Sequence, residues 1–77
     1  MSLPEQQVKH LVTAEDLGRA IRDRRKMLGM TQADLAMQAG VSTPTVSAIE
    51  NGKETAQIGL VLQLCEDIGL RLTTVKG

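Results

Sequence analysis

Four successive segments of this 77-residue chain each begin at a threonine or serine and end at a glycine. A hydroxyl side chain can cap a helix by accepting from a free backbone N–H, and glycine commonly ends one because it tolerates positive φ. The bounding pairs are Thr13 and Gly29, Thr31 and Gly40, Ser42 and Gly52, and Thr55 and Gly69. The pattern predicts four helices, the first over residues 14–28, the fourth over 56–68, and two shorter ones between them.

The first turns of these helices carry further signals. An acid lies three residues past the first two caps, at Asp16 and Asp34, as in a capping box. Pro44 falls in the first turn of the third helix, where its missing N–H has no intrahelical partner. We therefore expect the Ser42 hydroxyl to accept from the Thr45 N–H instead.

The core of this chain must be aliphatic, because the sequence contains no Phe, Tyr or Trp. Leucine, isoleucine, valine, methionine and alanine suit packed helices better than a β-sandwich. The lack of flat rings also counts against recognition of RNA or single strands by base stacking. A chain this short buries only about 60% of its unfolded surface, and oligomerisation is a common remedy.

The fourth helix and the segment after it indicate a partner chain. Apolar residues form one stripe in this helix at Ile58, Val61, Leu62, Cys65 and Ile68, with Leu60 and Leu64 adding a second. Residues 70–77 alternate like a strand, and a strand needs a partner. We predict an interface with another chain that includes Leu60, Leu64, Leu70, Leu72 and Thr74. Residues 1–12 are polar without a clear period and are predicted to be an N-terminal arm, followed by a domain over 13–69.

Charge and reactive residues narrow the function. Nine basic residues balance nine acidic ones, which counts against strong non-specific nucleic-acid binding. Arg19, Arg22, Arg24, Arg25 and Lys26 nevertheless cluster, either as a solvated helix face or as phosphate contacts. The lone Cys65 is predicted to be a buried hydrophobe, and the chain to be cytoplasmic, without a membrane span. We find no metal-ligand spacing, cofactor motif or nucleophile–base pair, and predict no enzyme.

The two middle helices carry the functional pattern. Ala36 permits a close helix crossing, Gly40 suits the turn, and Val46 and Ile49 can anchor the third helix. Small side chains are left to face outward from that helix. In a helix-turn-helix this outward N-terminal part enters the major groove of DNA.

The segment "TQADLAMQAGVSTPTVSAIENGK" resembles the helix-turn-helix of the phage-repressor-like (XRE/Cro) family, over about residues 17–70. The continuation "ETAQIGLVLQLCEDIGLRLTTV" is similar to its HipB-like branch, the DNA-binding antitoxins of HipA-like kinase toxins. The resemblance implies an all-α, lambda-repressor-like bundle of four to five helices. It also implies a short C-terminal β-strand that pairs with the same strand of a second protomer.

The resemblance also assigns DNA-binding roles by position. Gln32 and Lys53 correspond to phosphate contacts, and Arg25 corresponds to a residue that pairs with Glu50 at the end of the third helix. The full set of implied DNA-binding residues is Gln32, Ser42, Thr43, Pro44, Thr45, Ser47, Ala48, Lys53, Arg22 and Arg25. Many relatives carry long polar side chains at the base-facing positions, whereas this chain has Thr43, Pro44, Ser47 and Ala48. Direct base readout is therefore expected to be light, with DNA shape and paired half-sites contributing more.

Three functions follow from this resemblance. The first is a dimeric repressor of a palindromic operator in double-stranded DNA. The second is an autoregulatory antitoxin that restrains a HipA-like kinase toxin. The third is a free-standing phage-repressor-like regulator without a toxin partner.

Overall fold

A computed structural model describes residues 10–74, which contain four helices and no strand. The helices are α1 (Ala14–Met27), α2 (Gln32–Ala39), α3 (Thr43–Glu50) and α4 (Ile58–Asp67). This architecture confirms the all-α bundle. None of these helices combines the length and the apolar character needed to cross a membrane.

The first two helices begin as their caps predict. The Asp16 N–H donates to Thr13 Oγ1 at 3.0 Å, and Asp16 Oδ2 accepts from the Thr13 N–H at 3.2 Å. The same reciprocal pair joins Thr31 and Asp34, at 3.0 and 2.8 Å. Two capping boxes therefore fix where α1 and α2 start.

The turn into α3 also follows the sequence. Gly40 adopts a φ of 73°, the left-handed conformation expected at the end of α2. The Thr45 N–H donates to Ser42 Oγ at 3.2 Å. This confirms the prediction that Thr45 supplies the capping N–H that Pro44 lacks. A second bond of 2.8 Å joins the Ser42 and Thr45 hydroxyls. These contacts set the direction of α3 relative to α2.

The start of α4 differs from the prediction that Thr55 caps it. The helix begins at Ile58, and its N-cap Gln57 makes no side-chain capping bond. A turn closes before it, with the Ala56 N–H bonded to the Lys53 carbonyl at 3.3 Å. Because Ala56 packs against the core, this turn and its packing set the helix start instead of a hydroxyl cap.

The core is aliphatic and draws on all four helices. Val46 and Ile49 anchor α3 as predicted, and the lone Cys65 is 2% exposed. Burial away from water raises the pKa of the Cys65 thiol, which suits a packing role. The buried apolar residues are Ile21, Leu35, Ala36, Ala39, Val46, Ile49, Val61, Leu64, Cys65 and Ile68.

The face of α4 that enters this core differs in part from the predicted stripe. Leu64 is 1% exposed inside the protomer, so its assignment to a dimer interface is wrong. Ile58 and Leu62, which were predicted to share the buried stripe, are 68% and 49% exposed. Apolar residues surround most of this helix, and several rotations about its axis therefore satisfy the pattern equally well.

The predicted N-terminal arm and C-terminal strand lie largely at or beyond the ends of the described range. Residues 71–74 have no regular structure, and residues 75–77 lie outside the described range. Leu70 packs against the core, whereas Leu72 and Thr74 are exposed. Pairing of this segment across a dimer stays a prediction, as does the arm, of which residues 1–9 lie outside the described range.

Candidate nucleic-acid interface

The outward surface of α3 carries five small residues, here called the α3 rim: Thr43, Pro44, Thr45, Ser47 and Ala48. Thr43 and Pro44 are exposed, and the other three are partly exposed. Val46 and Ile49, on the opposite side, are 0% and 5% exposed. The helix is therefore held by its buried side while the rim offers hydroxyl groups and apolar surface to a partner.

The helix that carries the rim packs against α2. Ala36 is 3% exposed at the packed α2–α3 contact, and the Val41 N–H donates to its carbonyl at 3.0 Å. A short turn thus joins two packed helices, which is the arrangement of a helix-turn-helix. Lys53 lies in the loop after α3 and lines a groove with Pro44, Thr45 and Ala48. The lysine is exposed and beside the rim, as its implied phosphate contact requires.

A buried ion pair joins α1 to the end of α3. Arg25 Nε donates to Glu50 Oε2 at 2.7 Å, and Arg25 Nη2 donates to Glu50 Oε1 at 3.0 Å. These two bonds confirm the implied pairing in a bidentate form. Both residues are only 6% exposed. Burial opposes ionisation of Glu50, but hydrogen bonds from Arg25 and Gln32 and nearby positive charge outweigh it and lower its pKa.

Gln32 is attached to this ion pair. Its Nε2 donates to Glu50 Oε1 at 3.0 Å, across 18 positions of sequence. Gln32 is partly buried and is the first residue of α2. Neither periodicity nor motif spacing indicates this bond, and the sequence prediction missed it.

The basic cluster of α1 divides into different roles. Arg25 was expected to contact DNA, but its Nε, Nη1 and Nη2 all donate within the protein, Nη1 to the Met30 carbonyl at 2.7 Å. Arg24 Nε donates to the Ile68 carbonyl at 2.8 Å, at the end of α4. Arg19 pairs with Glu15 at 3.1 Å. Arg22 is exposed beside Glu50, where it remains available for a phosphate.

The described residues thus bring most of the implied site together. Pro44, Thr45 and Ala48 of the α3 rim line one groove with Lys53, and the Ser42 hydroxyl is hydrogen-bonded to Thr45. Gln32 is bonded directly to Glu50, the last residue of α3. Within residues 10–74 there is no cluster of three or more His, Cys, Asp or Glu side chains that could hold a metal ion. The surface can donate and accept hydrogen bonds and can approach a groove closely.

Comparison with known proteins defines the class. Residues 21–75 match the family model described as Helix-turn-helix, which is more than half of the chain. The chain is 41% identical over 61 residues to the uncharacterized HTH-type transcriptional regulator y4mF of Sinorhizobium fredii, covering 79% of this chain and 80% of the relative. An uncharacterized HTH-type transcriptional regulator of Methanothermobacter thermautotrophicus is 37% identical over 49 residues, which cover 64% of this chain and 71% of that relative. The protein belongs to the helix-turn-helix family of transcriptional regulators.

Solved structures share the same fold. A chain of the HipA-HipB-O2-O3 complex superposes with a TM-score of 0.81 at 22% identity, covering 90% of this chain and 97% of that one. The HipB chain of the HipB-O4 20mer complex gives the same TM-score, identity and coverage. At this level of identity the likeness establishes the fold alone.

Proposed function

We propose that this protein is a homodimeric, non-catalytic repressor that binds a palindromic operator in double-stranded DNA. The observation that carries the proposal is the α3 rim, exposed on a helix whose other side is locked into the core by Val46 and Ile49. Membership of the helix-turn-helix regulator family supports it. In such a dimer the two recognition helices enter major grooves about one helical turn apart, roughly 34–36 Å.

The side chains on this surface divide between positioning and readout. Lys53, Arg22 and Gln32 present donors that suit phosphate oxygens, which set the register on the duplex without carrying sequence information. Thr43 and Ser47 offer hydroxyl groups to base edges, and Pro44 and Ala48 offer apolar contact to thymine methyl groups. A bidentate contact from a longer side chain supplies about 1–3 kcal/mol of discrimination, which these residues lack. Sequence-dependent DNA shape therefore supplies more of the specificity.

Operator binding is tested by fluorescence anisotropy with a palindromic duplex from the protein's own promoter and a scrambled duplex. Thr43→Ala and Ser47→Ala should reduce the preference for the operator, and Lys53→Ala should weaken binding to both duplexes. Loss of one phosphate contact should also lower the salt slope by about 1. Met37→Ala is the control, because that side chain is 84% exposed on the last turn of α2. Equal affinity of the wild-type protein for the two duplexes would refute the proposal.

A further role as an antitoxin is favoured by the second half of the chain. The fold is that of HipB, which has been solved in a complex with HipA. The terminal segment also resembles that branch of antitoxins in sequence. We infer that this protein restrains a HipA-like kinase and represses its own operon as feedback.

The competing proposal is a free-standing phage-repressor-like regulator. The two are separated by searching the neighbouring genes for a HipA-like kinase, expressing that kinase together with the protein, and measuring co-purification and growth; a gene without such a neighbour counts against the antitoxin. Rescue of growth with a stable complex supports the antitoxin. Operator binding without either supports the free-standing regulator.

A further inference from the structure

Glu50 lies at the centre of a hydrogen-bonded chain that runs from the protein interior to α2. Its Oε2 accepts from Arg25 Nε at 2.7 Å, and its Oε1 accepts from both Arg25 Nη2 and Gln32 Nε2 at 3.0 Å. Arg25 is itself fixed by its bond to the Met30 carbonyl at 2.7 Å. Each member of the chain is therefore held by the one before it, and Gln32 is the last.

The chemistry of this contact fixes the orientation of the Gln32 amide. An ionised carboxylate can only accept hydrogen bonds, so the amide nitrogen and not the amide oxygen must face Glu50. The nitrogen carries two hydrogens, and one of them is used by Glu50 Oε1. Glu50 is the hydrogen-bond partner of the Gln32 side chain among residues 10–74, so the second hydrogen is left for an acceptor outside that range, such as a bound phosphate.

The charge at this position is also balanced. A buried carboxylate near a phosphate would repel it, but the bidentate Arg25 neutralises Glu50 inside the protein. Arg22, exposed beside Glu50, adds positive charge on the outer side. A phosphate oxygen can therefore approach the Gln32 N–H without meeting a net negative site.

We propose that Glu50 is a positioning residue for DNA binding, which holds the Gln32 side chain so that its free N–H meets a phosphate oxygen of the DNA backbone. A glutamine has three rotatable side-chain bonds, and ordering them before the encounter removes part of the entropy loss on binding. The ion pair then acts on affinity through Gln32, in addition to joining α1 to α3. This inference rests on the proposed function, because Gln32 must face a duplex.

A double-mutant cycle tests whether Glu50 acts through Gln32. The proteins are wild type, Glu50→Gln, Gln32→Ala and the double variant, with affinity for the operator duplex measured well below each unfolding temperature. Each single change should weaken binding about tenfold, the size expected of a charge-assisted hydrogen bond. In the Gln32→Ala background, Glu50→Gln should cost less than about threefold. An equal loss in both backgrounds would mean that Glu50 acts only through general stability, and would overturn the inference.

Nuclear magnetic resonance of the wild-type protein without DNA gives a second test. It does not depend on whether the Glu50 variant folds. The Gln32 side-chain NH₂ should show two widely separated proton signals, one of them shifted downfield by the carboxylate. Gln38 and Gln63 are matched controls, since their Nε2 atoms donate to backbone carbonyls at 3.2 and 3.0 Å. Gln57, whose side chain is exposed and makes no capping bond, represents a free amide.

The two tests separate this inference from the proposed function. A Gln32 signal like that of Gln57 would overturn the positioning role even if the operator is bound tightly. A downfield Gln32 signal in a protein that binds no duplex would refute operator binding, and with it the role of Glu50 there.

Discussion

Gly18 on α1 lies directly against the backbone of Glu50 at the end of α3. A Cβ atom at position 18 would lie 2.7 Å from the Glu50 carbonyl oxygen and would also collide with the carbonyl oxygen of Ile49. Both obstacles are backbone atoms, so no side-chain rotation can relieve them. The absence of a side chain at Gly18 thus permits the close approach of α1 and α3 beside the Arg25–Glu50 pair.

Gly18→Ala should therefore destabilise the protein, although alanine is ordinarily the better helix former. Forcing the two helices apart is an overpacking change, expected to lower the free energy of unfolding by about 1–3 kcal/mol or more. Gly59→Ala is the matched control, because a Cβ there meets nothing within 4 Å. That change should stabilise α4 by up to about 1 kcal/mol. Denaturant unfolding of both variants measures the difference, and equal stabilities would show that α1 can shift away freely.

Removing the Thr31 hydroxyl, which caps α2, should lower the stability of the protein more than removing the Thr55 hydroxyl, which was predicted to cap α4. Thr31 Oγ1 accepts from the Asp34 N–H at 3.0 Å, and loss of such a cap typically costs about 1 kcal/mol. Thr55 precedes α4 by three positions and does not cap it. Thr31→Ala should lower the thermal midpoint, and Thr55→Ala should leave it nearly unchanged. A comparable decrease in both variants would contradict the observed start of α4.

Stability should fall in acid, because several carboxylates are bonded in their charged form. Burial opposes ionisation of Glu50, but bonds from Arg25 and Gln32 outweigh it and lower its pKa. The backbone N–H groups of Val12 and Thr13 donate to Asp16 and lower its pKa. The backbone N–H of Thr31 does the same for Asp34. A carboxylate with a folded pKa below its unfolded pKa stabilises the fold above the unfolded value. That stabilisation is lost as the pH falls through the folded value.

The free energy of unfolding should therefore be nearly flat above about pH 5 and decrease below about pH 4. Denaturant titrations across this range provide the measurement. Glu50→Gln should show a weaker dependence on acid than wild type, because its side chain no longer titrates. A wild-type stability that stays constant down to about pH 3 would show that these bonds do not favour the charged forms in solution.

The sequence predicted those parts of the fold that depend on contacts within a few residues. Thr13, Thr31 and Ser42 each cap a helix by accepting from a backbone N–H three positions later, so the capping hydroxyl and its donor lie close together in the sequence. The start of α4 depends on packing of Ala56 and could not be predicted in this way. Its buried face was ambiguous for a related reason, since an apolar pattern around the whole helix does not select one rotation.

The candidate site shows the same division between local and distant contacts. The α3 rim could be predicted, because outward positions follow from the period of a helix anchored by Val46 and Ile49. The bond between Gln32 and Glu50 joins residues that neither spacing nor composition connects. In the sequence, Arg24 and Arg25 cannot be told apart from the other basic residues of the cluster. Only the tertiary structure shows that their guanidinium groups donate to the Ile68 carbonyl and to Glu50.

The exposed apolar face of α4 bears on the proposed dimer. Ile58 and Leu62 lie one turn apart with 68% and 49% of their surface exposed, whereas Leu64 is 1% exposed. Leu62→Glu should therefore convert a homodimer into monomers while the helical content by circular dichroism is retained. Leu64→Ala should instead leave a core cavity and cost about 2–5 kcal/mol in either state. Sedimentation of the two variants separates these effects, and a Leu62→Glu protein that still sediments as a dimer would exclude this face from the interface.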